Sequence, residues 1–147
     1  RMKPFQPRPE SRATRALHRT AALAAAVLSL ACLPAIAATP ATLLAGYTAA
    51  AGGAAPSATR GQQFFTSTHG REWSCSSCHG ALPTGTGKHA STGKPITPLA
   101  PAFNAQRFAD EAKTEKWFRR NCNDVAGREC TAAEKADLLA WLMTLKP

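Results

Sequence analysis

One five-residue run, Cys75-Ser76-Ser77-Cys78-His79, constrains this chain more than any other feature. Two thiols three positions apart, followed at once by an imidazole, make C-x-x-C-H, the attachment signature of c-type haem. The thiols add across the two porphyrin vinyl groups, and the histidine takes the proximal face of the iron. Two other chemistries use a C-x-x-C pair. A dithiol redox site needs a βαβ setting, and no alternation of strands and helices surrounds the run. A zinc site needs a second ligand pair at matched spacing, and Cys122 and Cys130 are spaced poorly for one. The motif therefore predicts one covalent haem c, held by Cys75, Cys78 and His79. The porphyrin also supplies core to a domain that buries only about 60–65% of its unfolded surface.

The charge of the chain points the same way once its distribution is followed. The formal net charge is +9, from 18 Lys and Arg against 9 Asp and Glu, and a charge that high invites a nucleic-acid reading. Six of the basic residues, Arg1, Lys3, Arg8, Arg12, Arg15 and Arg19, stand within the first twenty positions. The apolar stretch Ala21–Leu33 follows, and then the small residues Ala35-Ile36-Ala37. A charged start, a short apolar run and an A-x-A site predict a cleaved Sec-type signal peptide at 1–37 and a domain at 38–147, with Ala38 as the alternative cleavage point. The apolar run is shorter than the roughly 20 residues a bilayer span requires, so stable membrane insertion is not expected. Lipidation at Cys32 would need a Leu-like residue where Ser29 stands. A mature chain has a charge of about +4, and two haem propionates lower that to about +2. That is no nucleic-acid footprint, and the expected compartment is the periplasm. Four cysteines remain there, two for haem and Cys122 and Cys130 for a disulfide, which closes a short loop and stabilises by roughly 2–3 kcal/mol.

The mature segment reads as all-α. Thr39 N-caps a first helix that starts with Pro40, carries Leu43, Leu44 and Tyr47 on one face, and stops at Gly52-Gly53. A second runs from Ser57 to about Ser67 with Phe64 and Phe65 inward, and its Gly61-x-x-x-Phe65 pattern resembles the N-terminal helix of class I cytochromes c. Gly80–Pro101 holds enough Gly and Pro to be loop wrapping the haem. A third helix is expected from about Asp110 to Arg120, ending in Asn121-Cys122-Asn123. The fourth opens on the capping box Thr131-Ala132-Ala133-Glu134 and places Leu138, Trp141, Leu142 and Leu145 at helical spacing.

The second axial ligand decides what such a haem does, and the residues leave it open. Met143, the only Met of the mature segment, lies on the last turn of the final helix, a place suited to packing rather than ligation. His69 and His89 lie in polar loops, where a histidine is more often solvated than a ligand, and His89 stays open as an alternative ligand in some redox state. Asn121, Asn123, a lysine or an open site remain as alternatives.

The runs Arg120-Asn121-Cys122-Asn123, Gly127-Arg128-Glu129-Cys130 and Glu134–Leu142 resemble the SHP-type cytochromes c (sphaeroides haem protein). The likeness extends back through Lys116-Trp117, Arg107-Phe108, Pro98–Pro101 and the haem motif to Ala45-Gly46-Tyr47. The resemblance implies a class I cytochrome c fold of about four helices around one haem. It also implies His79 as proximal ligand, Asn121 as distal ligand and a neighbouring disulfide Cys122–Cys130. By the same resemblance, a dihaem cytochrome c and a membrane cytochrome b are the electron donors. An amide oxygen is a neutral, hard donor, weaker toward iron than imidazole or thioether sulfur, so ferric iron accepts it and ferrous iron releases it. Reduction then frees a position for O₂ or NO. Trp117, one turn before Asn121, is a candidate wall of that pocket, and Pro98 a candidate acceptor for the other ring nitrogen of His79. Two rival functions share the fold: a plain electron carrier with a closed six-coordinate haem, and an enzyme turning over O₂ or nitrogen oxides.

Overall fold

A computed structural model describes residues 38–147; the predicted signal peptide at 1–37 lies outside the described residues. The elements, in chain order, are α1 (Pro40–Ala50), α2 (Ala58–Thr66), α3 (Cys75–His79), β1 (Gly87–Lys88), β2 (Pro95–Ile96), a 3₁₀ turn (Pro101–Phe103), α4 (Glu111–Ala126) and α5 (Ala132–Thr144). Each long helix begins on a side-chain cap. Thr39, Ser57, Asp110 and Thr131 accept from backbone amides of the first turn, satisfying donors that helix geometry leaves without partners.

The core lies where α2 and α1 pack on α5. Phe65, Leu139, Leu142 and Trp141 are all but fully buried there, with Leu43 and Tyr47 contributed by α1. Gly61 sets how close α2 comes: a Cβ at that position would collide with the Asp137 carbonyl of α5. The carboxylate of Asp137 fastens the same crossing. It accepts from Ser57 N at 2.6 Å and from Arg60 Nε and Nη2 at 2.6 and 2.8 Å.

Two expectations change. The loop after the haem motif contains a two-residue antiparallel ladder, Gly87 opposite Ile96 and Lys88 opposite Pro95, which is too short to carry a sequence pattern. The third helix does not stop at Asn121. It continues six residues beyond Arg120, to Ala126, and ends on Gly127 in the left-handed conformation at φ 68°. Cys122 and Val125 face inward on that extension, and Gly serves the left-handed position better than Asn because it has no Cβ. The Arg71 guanidinium packs on the spot a Gly127 Cβ would take, 2.9–3.3 Å away. Among the described residues no helix is long and apolar enough to cross a membrane.

Candidate haem site

The motif folds as a single helical turn. Ser74 donates its backbone N–H to Ser77 Oγ at 3.0 Å at the start, and Gly80, at φ 77°, ends it with an N–H bond to the Ser76 carbonyl at 2.9 Å. One turn of helix puts Cys75 and Cys78 on the same side, and both are free thiols. Burial pushes the Cys75 thiol up to about 11, so it is uncharged at neutral pH. Burial also pushes His79 down to about 4, helped by the positive charge of Arg107. Its imidazole is therefore neutral at neutral pH, with a lone pair free to ligate. The ring faces Phe65, 6.2 Å between centroids, and Phe65 in turn meets Trp141 at 4.8 Å. The motif thus rests on the α2–α5 core.

The β1–β2 hairpin covers the other side of the motif. Gly87 lies so close that a Cβ would collide with the Cys78 carbonyl, and Ala90 N–H points at Cys78 Sγ, 3.2 Å away. Pro98, expected to support His79, is engaged elsewhere. Its carbonyl accepts from Arg107 Nε at 2.9 Å and Asn104 Nδ2 at 3.2 Å, and His79 makes no side-chain hydrogen bond among the described residues. A carbonyl oxygen has two lone pairs, so these two donors account for it. Arg107 also donates to the Thr97 carbonyl and hydroxyl at 2.8 and 3.0 Å, and so ties the proximal loop to the segment before α4.

On α4 the spacing of Thr114, Phe118, Asn121 and Val125 places them on one face, with Thr114 and Val125 buried and Asn121 half-buried. Asn121 makes no side-chain hydrogen bond among the described residues. Asn123 is exposed, and its amide donates to the Arg119 carbonyl at 2.9 Å. Trp117, one turn before Asn121, is 42% exposed with the Arg120 guanidinium 5.7 Å from its ring centre. Next to Asn121, Cys122 is joined to Cys130 as a disulfide with Cα atoms 5.6 Å apart.

The remaining candidate ligands have other duties. His69 donates Nε2–H to the Phe64 carbonyl at 2.8 Å and stacks on the Phe64 ring. His89 Nδ1 accepts from Ser91 and Thr92 amides at 3.3 and 3.4 Å. Met143 packs against the core from the far end of α5, beside Thr39 and Pro101.

The donor set suits a covalent haem. Two free thiols on one helical turn adjoin a neutral imidazole, and no cluster of three His, Cys, Asp or Glu side chains fit for a metal ion forms among the described residues. Sequence reasoning missed the residues that brace this site. Glu115 accepts from both Tyr47 and Lys135, tying three helices, and Asp137 clamps α2. These pairs join residues 20 to 80 positions apart, and no local pattern announces them. Arg107 and Phe108 were visible only as part of the resemblance.

A family described as a domain of unknown function, DUF1924, matches residues 51–142. The cytochrome c-type protein SHP of Cereibacter sphaeroides is 55% identical over 107 residues, 70% of this chain and 81% of that protein. Cytochrome c'' of Methylophilus methylotrophus is 45% identical over 94 residues, 61% of this chain and 65% of that protein. Among solved structures, oxidised SHP, described as an oxygen-binding cytochrome c, matches with a TM-score of 0.68 at 53% identity, over 73% of this chain and 97% of that one. With that identity over four-fifths of a relative and a matching, mostly helical frame, the chain belongs to the SHP family of c-type cytochromes, haem proteins of the class I fold with one covalent haem c.

Proposed function

We propose that this protein is an exported, periplasmic monohaem cytochrome c whose distal ligand, Asn121, leaves on reduction so that O₂ or NO can bind. The observation that carries the reading is the state of Asn121: half-buried on the inward face of α4, unengaged by the described residues, and beside a disulfide. The haem supplies the electron-accepting iron and the position at which a diatomic ligand binds. Cys75 and Cys78 hold it through thioethers, and His79 serves as the proximal ligand. Asn121 offers a hard, neutral amide oxygen, a partner suited to ferric iron and weak for ferrous. Of the two asparagines flanking Cys122, Asn121 is favoured because Asn123 faces solvent and is bonded to its own helix. Cys122–Cys130 limits how far Asn121 can travel, which supports its return on reoxidation. Trp117, on the same edge of α4, is the candidate wall of the ligand pocket. The electron comes from another cytochrome; the family resemblance points to a dihaem cytochrome c and a membrane cytochrome b.

Optical spectra of the holoprotein test this, ferric and ferrous, before and after CO. A ferrous spectrum that shifts on adding CO is the expected result, and low-spin ferrous bands unchanged by CO would leave a closed electron carrier instead. Asn121→Met should give a stable low-spin haem with a raised potential and lost CO binding. Wild-type spectra in that variant would remove Asn121 as the ligand.

A further inference from the structure

A small polar cluster away from the haem motif seats α4 against the rest of the protein. Glu115 of α4 accepts from Tyr47 Oη of α1 at 2.6 Å through one carboxylate oxygen, and from Lys135 Nζ of α5 at 2.6 Å through the other. The Lys135 side chain is only 14% exposed, and its ammonium lies 5.5 Å from the Tyr47 ring centre and 5.8 Å from that of Phe118. Such placement over aromatic faces favours the cation when it is desolvated. Phe118 meets Tyr47 edge-on at 5.8 Å and Phe108 at 6.4 Å. Phe108 itself adopts a left-handed backbone, φ 61°, which is unusual for a bulky residue and is held by its surroundings.

The cluster bears on Asn121 through the geometry of α4. Glu115 and Phe118 lie within two turns before Asn121 on a continuous helix, so a shift at the cluster is passed along as a rigid displacement. Cys122–Cys130 fixes the helix just after Asn121. The residue is thus bracketed by two attachments, one covalent and one made of hydrogen bonds and charge. Burial opposes a charged carboxylate at 115, and the hydrogen bonds from Lys135 and Tyr47 outweigh it, holding Glu115 below the usual carboxylate range.

We propose that Glu115 is a positioning residue for Asn121, its bonds to Tyr47 and Lys135 holding α4 in the register and depth that let Asn121 act as distal ligand. The proposal rests on Asn121 being that ligand. It adds that the strength of ligation is set partly from outside the pocket, by a contact among three helices. An external ligand of the ferric protein competes with Asn121, and its apparent affinity falls with the fraction of sites left open. Loosening the cluster therefore tightens external binding.

Imidazole added to the ferric holoprotein at mildly alkaline pH is the probe. It is neutral there, so altered charge at the cluster does not bias it. Glu115→Gln keeps the side-chain shape but leaves Lys135 without its counter-charge, and is expected to tighten imidazole binding about tenfold, with a smaller change, about threefold, for Tyr47→Phe. Tyr47→Phe removes only a hydroxyl and keeps the inference testable if Glu115→Gln does not fold. Asn121→Ala should tighten binding more than either, and adding Glu115→Gln to it should change nothing further. If Asn121→Ala tightens binding while the cluster variants stay within about twofold of wild type and only lower the thermal midpoint, Glu115 is a structural brace alone. If Asn121→Ala leaves imidazole binding unchanged, the ligand assignment fails and this inference with it.

Discussion

The crossing of α2 with α5 and the seating of α4 solve the same problem by different means. At the crossing, backbone meets backbone: Gly61 leaves no room for a side chain against Asp137, and Phe65, Leu139 and Leu142 fill the space around it. Helix α4 is held instead at separate points, by Glu115 and Phe118 in its first half and by Cys122–Cys130 and Gly127 against Arg71 near its end. Close-packed contacts resist displacement in every direction, whereas point attachments permit small adjustments between them. The motif with His79 rests on the first kind of structure, and Asn121 is carried by the second. If His79 is the proximal ligand that stays and Asn121 the distal ligand that leaves, as proposed, the two kinds of support match the two roles.

Four changes separate the two regions, in decreasing order of effect. Gly61→Leu forces a side chain into the Asp137 carbonyl, and should remove about 3 kcal/mol or more of stability in urea unfolding of the holoprotein. A midpoint equal to wild type would mean the two helices are not in close contact there. Replacing both Cys122 and Cys130 by Ser should lower global stability by about 2–3 kcal/mol through the freed unfolded chain, and exchange through local openings should rise along α4 more than along α2. An equal rise in both helices would erase the contrast. Thr131→Ala removes the bond from Glu134 N to the Thr131 hydroxyl at the start of α5, worth about 1 kcal/mol in thermal unfolding. The smallest effect is one of pH. Glu115 is held below its ordinary value of 4.5, so its contribution is fully present above that value and fades as pH falls through the depressed one. Because the carboxylate is partly exposed, the stability gap between wild type and Glu115→Gln should be less than about 1 kcal/mol near neutrality and should close in acid. A gap that failed to narrow as pH fell from neutrality to well below 4.5 would show that the charge of Glu115 contributes nothing.

Much of the frame was legible because it is written locally. Thr39 with Pro40, the box from Thr131 to Glu134, and the helical spacing of Leu138, Trp141 and Leu142 each belong to one element and each marks it. The haem motif is equally local. What escaped is what depends on partners distant in the chain. The end of α4 was misplaced because Asn121 tolerates a left-handed backbone and so reads as a stop, although the buried side chains of Cys122 and Val125 carry the helix on to Gly127. The bonds from Arg107 and Asn104 to the Pro98 carbonyl were equally hidden, because those side chains reach it only in the folded loop. The Tyr47–Glu115–Lys135 contact has no sequence signature, since each member alone reads as an ordinary helix residue.

The disulfide has a consequence for ligand competition. Its cysteines are eight positions apart, so it leashes the end of α4 to the start of α5. If Asn121 is the distal ligand, it is never lost to bulk solvent when it leaves. It returns at an effective concentration on the order of millimolar or above, the range for short tethers. A dissolved gas present at far lower concentration prevails only by intrinsic affinity for ferrous iron. On that reading the leash would act as a threshold: weak or adventitious ligands would be turned away by a competitor that is always present, and only the few that bind strongly would displace it.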